Sequence, residues 1–124
     1  MTVVEKYLIA IIINEVGVAE GELVRTYAPI TISNIVRALP IRSRIYKLPD
    51  RVYLKVSLAM DVEKPREQVS RGDIAFWSQA SAITFFTKNT KLSQPVSLVG
   101  KVTKGLNLIE RTPMGSPVTI QLIN

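Results

Sequence analysis

Short runs in which apolar residues alternate with other side chains are the feature that most restricts the fold of this chain. In the clearest run, residues 51–60, the apolar positions are Val52, Leu54, Val56 and Leu58. A two-residue period places successive side chains on opposite faces of a β-strand. Because several such runs, separated by turns, fill 124 residues, the sequence predicts a mainly β protein, either a closed barrel or a sandwich.

Eight segments are predicted to be strands. They are residues 3–15, 22–27, 41–47, 51–60, 73–77, 82–87, 96–102 and 118–123. Valine and isoleucine dominate the first of these segments and suit a buried strand. The polar, proline-containing residues 61–72 and 88–95 are predicted to be surface loops.

One segment has the period of a helix. Four apolar residues there share the spacing of a single helix face: Ile32, Ile35, Val36 and Leu39. Pro29 lies near the start of this segment and Pro40 beyond its end, which are the positions that proline tolerates around a helix. The sequence predicts a helix that covers the sheet, with Thr31 or Ser33 capping its first turn. A second, short helical turn is predicted around residues 105–110.

The composition excludes several kinds of chemistry. The chain has no cysteine and no histidine. Disulfide bonds, thiolate metal sites, histidine-ligated zinc and hydrolysis by a serine–histidine or cysteine–histidine pair are therefore impossible. No two carboxylates have a convincing spacing for acid–base catalysis. We expect no metal site and no cofactor.

The net charge of +6 raises the question of a nucleic-acid partner. Five basic residues fall in one segment, namely Arg42, Arg44, Lys47, Arg51 and Lys55. The other basic residues are scattered, and no lysine- or arginine-rich tract or RNA-binding aromatic motif occurs. The charge pattern favours a solvated surface over nucleic-acid binding.

The apolar run at residues 7–16 is interrupted by polar residues and is shorter than the roughly 20 residues of a membrane helix. No small-residue cleavage site follows it. We therefore expect a soluble, cytoplasmic protein without a membrane partner.

The order of the motifs resembles that of the cyclophilins, which are barrels that catalyse proline isomerisation. The similar segments are "GELVRTYAPITISNIVRAL", "ITFFTKNT", "VSLVGKVTKGLNLIE" and "VTIQLI". The stretch "GDIAFW" and the short middle of the chain are similar to the small prokaryotic cyclophilin-like domains of unassigned function. The resemblance implies a closed eight-stranded barrel with one or two short helices, forming a single domain over residues 1–124.

The resemblance implies site residues where individual positions match the cyclophilin motif. Phe86 matches the second phenylalanine of the paired-phenylalanine strand, and Arg44 is the candidate for the arginine that stabilises the twisted imide. Thr84 takes the place of a glutamine, and Val96 takes the place of a histidine. The resemblance therefore implies a groove around Phe86, Thr84, Arg44 and Trp77 that lacks most of the isomerase residues.

The alternation of side chains along a strand separates neighbouring aromatic residues in this chain. Phe76 and Trp77 must point to opposite faces of one strand, as must Phe85 and Phe86. One member of each pair should fill the core, and the other should lie outside it. We expect a module that binds a peptide segment or a small molecule. The alternatives are a weak peptidyl-prolyl isomerase and, with less support, nucleic-acid binding; a homodimer stays open.

Overall fold

The computed structural model describes residues 4–14 and 16–123. Its strands are β1 (Lys6–Ile13), β2 (Gly17–Val24), β3 (Ile41–Leu48), β4 (Arg51–Lys55), β5 (Pro65–Val69), β6 (Asp73–Trp77), β7 (Ala82–Phe86), β8 (Thr90–Lys104) and β9 (Pro117–Leu122). The helices are α1 (Pro29–Ala38) and α2 (Leu106–Arg111), and single 3-10 turns cover Arg25–Tyr27 and Ser78–Ala80. The strand predicted over residues 3–15 is present as β1, while its two predicted end residues lie outside the described part of the chain.

Eight of the strands close into an antiparallel barrel. Their order is β2-β1-β9-β3-β4-β7-β6-β8, and β8 pairs back with β2. The remaining strand, β5, pairs with β8 outside this ring. The prediction of a closed eight-stranded, mainly β barrel with short helices is confirmed.

Isoleucine side chains fill the barrel because alternation turns every second residue of β1 inward. Ile9, Ile11 and Ile13 are buried there. Helix α1 contributes Ile32 and Ile35 to the same core, so its predicted apolar face is confirmed. Among the described residues, neither helix has the length and apolar character required to cross a membrane.

The seam between β2 and β8 requires a glycine at position 100. Gly100 pairs with Leu23 of β2 on one side and with Ile74 of β6 on the other. A Cβ atom at Gly100 would lie 1.8 Å from the carbonyl oxygen of Glu22. No side chain fits between these two backbones, so closure of the barrel depends on this residue.

Two predicted loops are partly strand. Residues 65–69 of the predicted loop 61–72 form β5, and β8 begins at Thr90, inside the predicted loop 88–95. Only Val69 of β5 is buried, while the other four residues are exposed. An exposed strand outside the barrel needs no apolar alternation, which is why its composition resembled that of a loop.

Helix α1 is capped by a distant carboxylate and not by Thr31 or Ser33, as the sequence had predicted. Glu63 accepts hydrogen bonds from the backbone N–H groups of Ile30 and Thr31, at 3.1 and 2.8 Å, and from the Thr31 hydroxyl at 2.8 Å. The residue before the helix is Ala28, whose side chain has no acceptor. Partial burial acts to raise the pKa of Glu63, but the hydrogen bonds from Thr31 and Ile30 outweigh it and hold the pKa below 4.5.

Replacing Glu63 by alanine should lower the free energy of unfolding by about 1 kcal/mol, the usual value of a helix cap. The pKa of Glu63 is lowered on folding, so its stabilisation is present above the ordinary carboxyl pKa and is lost as the pH falls through the lower, folded value. Urea denaturation of Glu63→Ala and of the exposed control Glu67→Ala, at pH 7 and near pH 3, measures both effects. Equal stability of the two variants at pH 7 would contradict the capping role.

Gly100→Ala should lower the free energy of unfolding by about 3 kcal/mol or more, because the methyl group collides with backbone atoms. Gly115→Ala is the matched control: its backbone has φ +88, but no atom lies within 4 Å of the added methyl group. The control should therefore show only the cost of the left-handed conformation, about 1–2 kcal/mol. Thermal unfolding followed by circular dichroism compares the two, and a smaller loss for Gly100→Ala would refute the seam constraint.

Candidate functional site

A second apolar cluster lies on the outer wall of the barrel. It consists of the buried residues Val69, Ala75, Phe86, Leu92 and Val96, with Trp77 packed against them. Strands β6 and β7 supply the wall, and β5 and the first half of β8 supply the residues that cover it. This outer cluster is separate from the core inside the barrel.

The predicted separation of the aromatic residues is confirmed. Phe76 and Phe85 belong to the core, whereas Trp77 and Phe86 belong to the outer cluster. Phe86 is fully buried there and Trp77 is partly exposed. Alternation along β6 and β7 therefore places one ring of each pair on the outer wall of the barrel.

The Arg51 guanidinium covers both outer rings. Its central carbon lies 4.8 Å from the centre of the Trp77 ring and 5.0 Å from the centre of the Phe86 ring. These distances are in the range of cation–π attraction. Arg51 is placed there by the sheet, because β4 pairs with β7 and puts Arg51 directly opposite Phe86.

Asp50 fixes the orientation of this guanidinium. Its two carboxylate oxygens accept hydrogen bonds from Arg51 Nε and Nη2 at 2.8 and 2.9 Å. The hydrogen bond from Arg51 holds the pKa of Asp50 below 3.8, against the opposing effect of burial. The charge of Arg51 is thus balanced, and its plane is held by a bidentate partner.

A depression of about 160 Å³ opens beside Arg51 and Trp77. Its lining is completed by Leu48, Leu92, Ser93 and Gln94. The Trp77 indole N–H donates to the side-chain oxygen of Gln94 at 3.2 Å. The depression therefore combines apolar side chains with polar groups from Arg51, Ser93 and Gln94.

A bulge of several residues in β8 forms one wall of this depression. Arg66 pairs with Val96 and Gln68 pairs with Lys91, so two steps along β5 correspond to five steps along β8. The extra residues include Leu92, Ser93 and Gln94, which line the depression. Bulges commonly redirect side chains next to binding sites, and this one turns part of β8 toward Trp77.

Thr84 lies on the outer wall between Tyr53 and Ala75, with which it pairs. Its side chain is buried, and its hydroxyl has no hydrogen-bond partner within residues 4–14 and 16–123. A buried hydroxyl without a partner costs about 1–3 kcal/mol. Thr84 is the one member of the predicted site whose polar group is unsatisfied.

Arg44 lies apart from the other predicted site residues. It is exposed and donates from Nη1 to the carbonyl oxygen of Gly115 at 2.8 Å. In the strand order, Arg44 on β3 is three strands from Trp77 on β6, or about 14 Å at the usual strand spacing. The structure thus brings Trp77, Thr84 and Phe86 together on the outer wall and places Arg51, not Arg44, over the two rings.

Two tyrosines extend the aromatic surface away from Trp77. Tyr53 meets Trp77 edge to face, with 5.4 Å between ring centres, and stacks on Tyr46 at 5.5 Å. Lys55 lies over the Tyr46 ring at 5.8 Å. Within the described ranges, no group of three or more acidic, histidine or cysteine residues is placed to hold a metal ion.

Comparison with known proteins identifies the family. The family model described as Cyclophilin-like matches residues 7–121, nearly the whole chain. This protein therefore belongs to the cyclophilin-like family. No curated protein sequence matches it.

Two solved structures share the fold. The hypothetical protein AF2241 from Archaeoglobus fulgidus is 26% identical, with a TM-score of 0.77 and coverage of 94% of this chain and 95% of that one. McbB in complex with tryptophan is 15% identical, with a TM-score of 0.71; 91% of this chain aligns with 44% of McbB. At that identity, the likeness to McbB concerns the fold alone.

Asp50→Asn should loosen Arg51 and shift the emission of Trp77, the only tryptophan, to longer wavelength as water reaches the ring. In the unmodified protein, the lowered pKa of Asp50 keeps its carboxylate charged to a lower pH than for an ordinary aspartate, and the pair is released as the pH falls through that lowered pKa. Fluorescence spectra from neutral to acid pH test this, with the exposed carboxylate variant Asp61→Asn as control. Identical emission of the two variants at neutral pH would show that Asp50 does not position Arg51.

Proposed function

We propose that this protein binds an extended peptide segment on its outer wall, with one apolar side chain of the peptide inserted beside Trp77. The observation that carries the proposal is the depression between Arg51, Trp77 and the bulge of β8. Its volume of about 160 Å³ is smaller than the roughly 300–1,000 Å³ of sites that enclose a whole small molecule. A peptide that inserts one side chain fits this volume better than a small molecule that must be enclosed.

The walls supply affinity for an apolar side chain. Leu48 is exposed at the mouth, while Leu92 and Trp77 of the outer cluster contribute apolar surface. Burial of one leucine- or phenylalanine-sized side chain contributes about 1.5–3 kcal/mol. This alone gives a weak complex, so contacts with the peptide backbone must add to it.

Arg51 and the bulge supply those backbone contacts. A guanidinium has five N–H donors, and the pair with Asp50 uses two of them. The other three are suited to peptide carbonyl oxygens. Ser93 and Gln94 add exposed polar groups at the rim. The apolar side chains of the depression would select the side chain of the peptide, and the polar groups at the rim would hold the main chain on either side of it.

Short blocked peptides with a central leucine, phenylalanine, proline or alanine test this proposal. Titrations followed by Trp77 fluorescence and calorimetry should show binding of the three larger residues and at least about tenfold weaker binding of alanine. Equal affinity for all four peptides, or no binding, would refute the insertion of a side chain.

The variant Arg51→Met should lower the affinity for the tightest-binding peptide by about tenfold, since it removes charged donors from the rim. Arg44→Met removes the same charge from the same sheet about three strands from Trp77 and should change the affinity by less than about twofold. A larger loss for Arg44→Met would instead favour the groove that the family resemblance implies. Isomerisation of the proline peptide above the uncatalysed rate, reduced in the Arg44→Met variant, would replace binding by catalysis as the function.

A further inference from the structure

A second concavity lies between the 3-10 turn Arg25–Tyr27 and the start of β5. It has a volume of about 430 Å³, within the roughly 300–1,000 Å³ of small-molecule sites. Its lining residues are Thr26, Tyr27, Lys64, Pro65, Arg66 and Leu98. None of them lines the depression beside Trp77.

The lining of this concavity combines apolar surface with two cations. Leu98, Pro65 and the ring of Tyr27 supply the apolar surface, and Tyr27 is 40% exposed. Lys64 and Arg66 lie two residues apart on the chain and both face the concavity. Lys64 uses one of its three donors on the carbonyl oxygen of Thr26, at 2.8 Å, and two are left.

Among the described residues, neither cation forms a salt bridge with a carboxylate. Glu63 directs both carboxylate oxygens to the start of helix α1. Glu22 is paired with Lys6 and Lys101, at 3.7 and 3.9 Å. Glu67, which follows Arg66 on β5, is exposed to solvent. The Glu63 charge acts on Lys64 through space, whereas no salt bridge joins Arg66 to a carboxylate in the described part of the chain, so positive charge remains at the concavity.

The backbone at Lys64 is held in an unusual conformation. Its φ of 48° is in the left-handed region, which costs a residue other than glycine about 1–2 kcal/mol. The preceding residue fixes it on two sides: the backbone N–H of Glu63 donates to the Ser97 hydroxyl at 2.7 Å, while its side chain binds helix α1. Strain of this kind persists where the surroundings determine the backbone, and here it presents the Lys64 side chain to the concavity.

We propose that this concavity binds a small anion that carries a ring or another compact apolar group. The anionic group, a carboxylate or a phosphate, lies between Lys64 and Arg66. The apolar group rests on Leu98 and against the face of Tyr27. The site is independent of the proposed peptide site, because the two share no lining residue.

Titration of the ¹⁵N-labelled protein with four probes, followed by NMR, tests this site. Phenyl phosphate and benzoate should shift the backbone amide signals of Tyr27, Arg66 and Leu98. Benzamide, which has the ring without the charge, and inorganic phosphate, which has the charge without the ring, should bind at least about tenfold more weakly. The stronger of the first two probes identifies the anionic group.

Two variants and a control separate the site from general attraction to a basic protein. Arg66→Gln should lower the affinity for phenyl phosphate by at least about tenfold. Arg42→Gln, the same substitution at another exposed strand position, should change this affinity by less than about twofold. In the Tyr27→Ala variant, phenyl phosphate should bind no more tightly than inorganic phosphate.

Three results would overturn the proposal: no shift with any probe, equal weakening in Arg66→Gln and Arg42→Gln, or shifts confined to the indole signal of Trp77. The peptide titration reads out at Trp77 and the anion titration at Tyr27. Failure of either proposal is therefore visible without reference to the other.

Discussion

The close backbone contact at the seam between β2 and β8 determines the rest of this structure. Gly100 lies where a methyl group would overlap the carbonyl oxygen of Glu22, so the two strands meet only because this residue lacks a side chain. Once the sheet is closed, each strand has an inner and an outer face. Phe85 then packs in the core, and Phe86 packs on the outer wall. The candidate peptide site is a consequence of that division.

The outer wall would be an exposed apolar surface without β5 and the first half of β8. These segments fold over β6 and β7 and bury Phe86 with Val69, Leu92 and Val96. The covering is incomplete next to Trp77, where β8 bulges and a depression is left. The barrel thus provides a rigid wall, and the irregular part of one strand provides the shape that a ligand can recognise.

Sequence patterns predicted the features that depend on local periodicity. The alternation in residues 51–60 and the spacing of Ile32 and Ile35 follow from strand and helix geometry, and they predicted β4 and α1. The bounds were less accurate: β4 ends at Lys55, and residues 25–27 of the predicted strand 22–27 form a 3-10 turn after β2. The family resemblance supplied the closure and three residues that do lie together. The cap of α1 by Glu63 and the position of Arg51 depend on pairings between segments far apart in the chain. Periodicity carries no information on such pairings, so neither the position of Arg51 over the two rings nor the exposed strand β5 could be predicted from it.

Strand β5 also bears on how these molecules behave at high concentration. Within the described residues it pairs with β8 on one side only, so its other edge presents backbone groups to solvent. Such edges invite strands of other molecules and can seed aggregates. Here the edge strand is short, begins with Pro65, which has no N–H to donate, and exposes the opposite charges of Arg66 and Glu67. Eight strands of this sheet are paired on both sides, and β5 leaves one edge open. The composition of β5 discourages uncontrolled growth of the sheet from molecule to molecule.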